Sequence, residues 1–228
     1  MANVAEILAT TPRLIDSLYE SINQPRTRLG LSQAGHKCGR YLWYAHHGYE
    51  GDTPDGRVLR LFELGNVVED IVIDDLQYAG ISCFCQQREV LFEMNGITLR
   101  GHIDGIVRGL VEAPKTDHLF ECKTASLKRY KELLKKGYKD WSQVYYWQLQ
   151  FYMLGLGLKR AAAFVYCKDD SRLYMERVKL DKTATIDKLA DVFSVIAQTC
   201  PPVRECPDVD FFEAKFCRFR RECWRLKK

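Results

Sequence analysis

No run of apolar residues in the 228-residue chain reaches the length of a membrane span, although hydrophobic types make up 46% of it. Residues 1–9 have neither the basic opening nor the small-residue cleavage site of a secretory signal. These two absences lead to the expectation of a soluble, intracellular protein without membrane contacts. Charge of one sign is not in large excess either, and a net charge of +4 by itself identifies no partner. Internal repeats, low-complexity stretches, zinc-finger spacings and recognition-helix patterns are all missing, which argues against solenoids and sequence-reading DNA modules. Nine cysteines are present. An odd number without a secretory signal points away from a disulfide framework, toward reduced thiols, metal or cluster ligation, or packing.

What is there suits one α/β domain with a sizeable core, divided into a helical part at 1–56, a core at 57–180 and a C-terminal part at 181–228. Thr11-Pro12 reads as the start of a helix running to about residue 22. Ser32 is placed to cap a second helix that carries His36, Cys38, Tyr41, Leu42 and Ala45 and ends near Gly48. A third helix, 57–78, sets Leu61, Leu64, Val68, Ile71, Val72 and Leu76 on one stripe. The period then changes to two. Val90, Phe92 and Met94 alternate up to the hairpin turn Asn95-Gly96, and Ile97, Leu99, Ile103 and Val107 continue beyond it. Strands at 118–123, 161–167 and 173–180 and helices at 126–136, 141–155, 183–198 and 211–224 complete the expectation. Cys83, Cys85, Cys122 and Cys167 fall in strand segments and read as core.

Three acids and a lysine carry the chemistry. In Phe120-Glu121-Cys122-Lys123, strand alternation puts Glu121 and Lys123 on one face and Cys122 on the other. Asp104, in Gly101-His102-Ile103-Asp104-Gly105, comes late in the hairpin, and its flanking glycines would let a substrate backbone approach. Glu69 follows Gly65 by one helical turn, opposite an apolar stripe. Converging carboxylates suit a hard cation, Mg²⁺ or Mn²⁺, which activates water for phosphodiester hydrolysis while a lysine orients the nucleophile or holds the phosphate. Each residue alone has a plain structural use, as a solvated charge or a turn former; their order and spacing carry the inference.

Gly65-x-x-x-Glu69, Gly101-x-x-Asp104, Glu121-x-Lys123 and Gln148-x-x-x-Tyr152 together resemble the successive motifs of the PD-(D/E)xK nucleases, over roughly residues 31–224. The likeness is to the RecB-like exonuclease branch, which includes CRISPR-adaptation nucleases and many phage-encoded exonucleases. It implies a central mixed β-sheet flanked by helices, a restriction-endonuclease-like core with helical additions at both ends. It also implies that Glu69, Asp104, Glu121 and the Cys122 carbonyl ligate metal, and that Lys123 is the catalytic lysine. Gln148 and Tyr152 would contact DNA or position that lysine. Many relatives carry histidine where this chain has Glu69, which leaves the number and preference of metal ions open. His102 is a neighbour of the site and not a motif residue.

Cys38 with Cys206, Cys217 and Cys223 resembles the cysteine set that holds a [4Fe-4S] cluster in several RecB-like nucleases. Ala214 stands where the first of their late trio belongs, so the alternatives are substitution by Cys206 or Cys200, a zinc ion, or cysteines kept for packing. Eight Lys or Arg against three acids lie between 115 and 139, and seven against one between 215 and 228. Beside a nuclease site, Lys128, Arg129, Lys131 and Lys135 read as phosphate contacts, and Trp141, Tyr145, Tyr146 and Trp147 could stack on unpaired bases, packing being the commoner use of such residues. The expected partner is DNA with free ends, bound without regard to sequence, in recombination, replication or end processing. The alternatives are a structure-selective endonuclease and a catalytically silent DNA-binding or scaffold protein.

Overall fold

A computed structural model describes residues 10–24 and 27–226; residues 1–9, read above for a signal, lie outside the described residues. Helix α1 (Thr11–Ile22) starts with Pro12 in its first turn, where a missing N–H costs no hydrogen bond. It docks by its polar side, through Asp16 to Arg60 and Glu20 to the Gly56 N–H. The single helix expected after Ser32 is instead two, α2 (Leu31–Ala34) and α3 (Gly39–His46). The break falls at Gly35, where a Cβ would stand 2.6 Å from the Cβ of Trp147, so the glycine lets this corner settle on a neighbouring helix.

Asp55 caps α4 (Gly56–Tyr78) by accepting the Val58 N–H at 2.8 Å. The expected stripe is buried only in part: Val68, Val72, Ile73 and Leu76 pack on the sheet, while Leu64, nearer the start of the helix, and Ile71, turned off the buried face, are exposed. Strands β1 (Ser82–Phe84), β4 (Gly105–Arg108), β5 (His118–Ala125), β6 (Arg160–Cys167) and β7 (Leu173–Lys179) form one sheet in the order β1-β4-β5-β6-β7. Only β5 and β6 pair in parallel. They are joined through α5 (Leu127–Trp141) and α6 (Gln143–Leu156). Strands β2 (Glu89–Met94) and β3 (Ile97–His102) make a separate hairpin around Asn95-Gly96, both at positive φ. The expected continuous strand beyond Ile97 therefore stops at His102, and Ile103-Asp104 crosses to the main sheet. Cys85 is a further correction: it follows β1, at positive φ, and is exposed.

Phe120, Cys122, Ala162 and Phe164 face α4, whereas Leu119, Ala161, Ala163 and Val165 face the larger core beneath α6. The sheet is thus covered on both faces, which explains its near-continuous apolar run in β6. Helix α7 (Lys182–Ile196) packs beside α6 and α3. The expected C-terminal helix is two short ones, α8 (Phe212–Lys215) and α9 (Arg220–Trp224), separated by Phe216–Phe219. No helix among the described residues is long and apolar enough to cross a membrane.

Candidate active site

The site forms where β4 leaves β5. Their ladder ends at the pair Gly105 and Phe120. Beyond it the Cys122 N–H would face an open edge, and the Asp104 carboxylate takes its place as acceptor, with Oδ2 2.8 Å from that nitrogen. A side chain thus replaces a ladder carbonyl, which fixes Asp104 against the middle of β5. Alternation does the rest: Cys122 turns to the α4 side, and Glu121 and Lys123 turn to α6.

Glu121 is fully buried. Its Oε1 accepts from the Lys123 ammonium and, at 2.5 Å, from Gln148 Nε2, while its Oε2 makes no hydrogen bond. Burial, reinforced by the Asp104 charge, pushes the Glu121 carboxyl up to about 8. Glu69 reaches the site from the α4 side, half-buried, and burial with the Asp104 charge pushes it up to about 7. Burial also raises Asp104, against the pull of Lys123 and the Cys122 N–H. Burial disfavours the Lys123 cation, yet Glu121 and Asp104 hold it well above the ordinary lysine value. The three carboxyls therefore feel one another and share one ammonium. Among the described residues, no three His, Cys, Asp or Glu side chains stand in position to ligate an ion as they are oriented here. Glu121 Oε1 and Asp104 Oδ2 are engaged with protein donors instead.

Tyr152 is buried on α6 one turn after Gln148. Its hydroxyl lies 2.5 Å from where a Gly101 Cβ would be, so Gly101 makes room for this ring and not for a substrate backbone. Gly105 has ordinary space around it. Arg28, Ser32, Arg100, His102, Gln148 and Tyr152 line a groove of about 610 Å³. Arg28 and Arg100 are cations of that groove that motif spacing did not reveal, because nothing in an isolated arginine marks it.

Lys128, Lys131 and Lys135 are exposed on α5. Arg129 is exposed as well but engaged, with Glu132 at 2.7 Å and the Trp141 carbonyl at 3.1 Å. The stacking role expected of Trp141 and Tyr146 is corrected: both are buried in the core, and Tyr145 and Trp147 pack against it. Cys38, Cys206, Cys217 and Cys223 line one cavity of about 30 Å³, with Ala214 in the same wall. Cys200 is exposed and stands apart from it. Burial pushes the Cys38 thiol up to about 11 and raises Cys206 and Cys217.

No protein-family model matches the sequence, and no curated protein does. Solved structures do match. The alkaline exonuclease LHK-Exo from Laribacter hongkongensis superposes with a TM-score of 0.51 at 16% identity, over 75% of this chain and 87% of that one. Its complex with dAMP gives 0.51 at 14%, over 81% and 90%. The protein SSO0001 gives 0.48 at 16%, over 96% and 95%. The likeness to LHK-Exo is one of fold, and the five-stranded mixed sheet flanked by helices is consistent with the core that the motif resemblance implies.

Proposed function

We propose that the chain is a divalent-metal-dependent deoxyribonuclease that works from free DNA ends without reading sequence. The observation that carries this is the buried Glu121: one oxygen is held by Lys123 and Gln148 while the other makes no hydrogen bond, beside two more carboxyls that burial raises. A buried carboxylate oxygen without a donor is rare, and an all-oxygen donor set suits Mg²⁺ or Mn²⁺. Glu69, Asp104 and Glu121, with the Cys122 carbonyl, would hold the ion, which when bound supplies an activated water and offsets phosphate charge. Lys123 orients the attacking water or holds a phosphate oxygen. Gln148 keeps Glu121 in place, and Tyr152 sets the helix on the hairpin over Gly101. The groove with Arg28 and Arg100 gives the backbone of DNA a cationic path that positions without specifying. The fold of LHK-Exo, an exonuclease solved with dAMP, supports the same reading.

The test is digestion of end-labelled linear DNA beside closed circular DNA. Mg²⁺ or Mn²⁺ should release nucleotides from the linear substrate alone, EDTA should stop it, and Lys123→Ala should lower kcat by about 10²- to 10⁴-fold. Cutting of the circle would favour a structure-selective endonuclease. Inactivity with every metal would leave a DNA-binding or scaffold protein on a nuclease fold.

Four cysteines line one cavity, and four thiolates are the number that a [4Fe-4S] cluster takes, although their side chains as oriented here do not converge to ligate an ion. Arg220 belongs to the same wall, and its buried Nε makes no hydrogen bond, which suits an anionic group. We propose that Cys206, in place of the residue at Ala214, completes that set. Iron and acid-labile sulfide in anaerobically purified protein, with broad visible absorbance, is the expected result. Colourless protein without iron would end the proposal.

A further inference from the structure

Two residues that carry side chains, Cys85 and Gln87, stand in the left-handed region within the segment that joins β1 to β2, both at φ 56°. A side chain crowds the backbone in that region, and the turns at Gly96 and Gly109 are built on glycine instead. The Gln87 backbone is pinned all the same. Its N–H donates to the Ile103 carbonyl at 2.9 Å, and the Ile103 N–H donates to the Arg88 carbonyl at 3.1 Å. Glycine would hold this bend with less strain, yet a side chain is kept. Strain of this kind gathers where a ligand is gripped. Gln87 lines the groove that also holds Gln148.

Gln87 extends a row. In β3 the side chains of Thr98, Arg100 and His102 alternate onto one face, and all three line the same groove. Glu89 lies opposite His102 in the hairpin, so Gln87, two residues before Glu89, stands past the end of β3 as the next member. Such a row repeats every ~7 Å, close to the step between successive phosphates of one extended strand. The pair that Arg100 makes with Glu89, 3.5 Å long and exposed, is weak enough to yield to a phosphate. Gln148 lines the groove yet is only 4% exposed, and it donates to the fully buried Glu121. At about 610 Å³ the groove has room for about one or two nucleotides. A duplex keeps its phosphates on a convex rim backed by the partner strand, and such a rim does not reach a carboxylate without exposed surface. A lone strand bends into the groove.

We infer that the groove is a track for one unpaired DNA strand, with Thr98, Arg100, His102 and the Gln87 amide each donating to a phosphate oxygen. That this strand is also cut rests on the nuclease reading, so the contacts are tested by binding alone, in EDTA. Full-length protein is titrated against a fluorescein-labelled oligothymidylate and a blunt-ended duplex of the same length, with fluorescence anisotropy read over a range of salt. The single strand should bind about tenfold more tightly or better. Arg100→Ala should reduce the slope of log K against log salt by about 0.7, the share of one phosphate on a single strand. Gln87→Ala and Gln87→Gly should each weaken binding about three- to tenfold with the slope unchanged, since an amide displaces no counterion. Their melting midpoints should separate, Gln87→Gly rising by about 1–3 °C through relief of strain and Gln87→Ala staying with the parent. Equal affinity for the duplex, failure to bind the single strand, or Gln87 variants that bind like the parent overturn the inference. So does a loss confined to one of the two variants, which would assign the effect to the backbone and not to the amide. A parent protein that binds the single strand but cuts no DNA with Mg²⁺ or Mn²⁺ sinks the nuclease reading and leaves the track standing. One that digests linear duplex and binds it in preference to the single strand does the reverse.

Discussion

At the scale of single residues, the buried carboxyls set a pH dependence whose sign follows from their direction of shift. Glu121 moves from 4.5 up to about 8 and Glu69 from 4.5 up to about 7, burial being the first cause in both. A carboxyl raised by folding keeps its proton in the folded chain after the unfolded chain has lost it. Between those values the folded state binds more protons, so stability falls as pH rises. The metal-free melting midpoint should therefore decline from about pH 5 to about pH 8. Ion binding needs the deprotonated forms, so the gain in midpoint on adding Mg²⁺ should grow over the same range. Glu121→Gln should flatten both trends. A metal-free midpoint that climbs through this window would show that these acids are not held protonated by burial. Glu121 and Lys123 are legible in the sequence because charged residues stand at alternate positions in an apolar strand. Gln87 is not, since nothing in Gln86-Gln87-Arg88 marks a left-handed residue, and only the contact with the Ile103 carbonyl shows how its backbone is held.

At the scale of elements, glycines decide which surfaces meet, and their neighbours separate two kinds. At Gly35 an added methyl would stand 2.6 Å from the Trp147 Cβ and 3.0 Å from the Val144 carbonyl, both fixed to α6. Gly35→Ala should cost about 1–3 kcal/mol in urea unfolding, since neither neighbour can rotate away. Gly65 lies inside α4 with nothing within 4 Å of an added Cβ. Gly65→Ala should stabilise by about 0.5–1 kcal/mol through helix propensity. If it does so while nuclease activity falls, Gly65 keeps space for DNA and not for packing; unchanged activity would reduce that part of the motif to a coincidence of spacing. Helical and strand periods foretold most elements here because apolar residues recur in them at those periods, although no such period marked β1. They missed the break at Gly35 and the crossing at Ile103-Asp104, which depend on partners distant in sequence: α6 for the first, and the edge of β5 for the second.

For the whole molecule, the question is what ties the C-terminal segment to the early helices. The Arg40 guanidinium donates to the Pro202 carbonyl at 2.9 Å, Glu205 accepts the Gly39 N–H at 2.8 Å, and Trp43 Nε1 donates to the Gln198 carbonyl at 2.8 Å. Lys37 meets Glu213 at 2.9 Å, but both are substantially exposed, and such a pair adds little. The cysteine cavity lies in this same seam, joining Cys38 at the start of α3 to three residues near the end of the chain. Burial pushes the Cys38 thiol up to about 11 and raises Cys206 and Cys217, so in the absence of metal these three contribute packing as neutral thiols. A cluster would change that, because ligand bonds formed only in the folded chain add directly to its stability. The two cases predict different behaviour of Cys217→Ser. As a ligand, Cys217 would on substitution abolish the visible absorbance, lower the melting midpoint by several degrees and expose the 197–211 segment to protease, all reproduced in the parent protein by iron chelation. As a packing residue, it would leave the midpoint nearly unchanged, and chelation would do nothing. The proposed nuclease site lies on β5, outside this seam, so digestion of short linear DNA by Cys217→Ser measured below its melting range tells whether the seam merely holds the fold or also guides DNA to the groove.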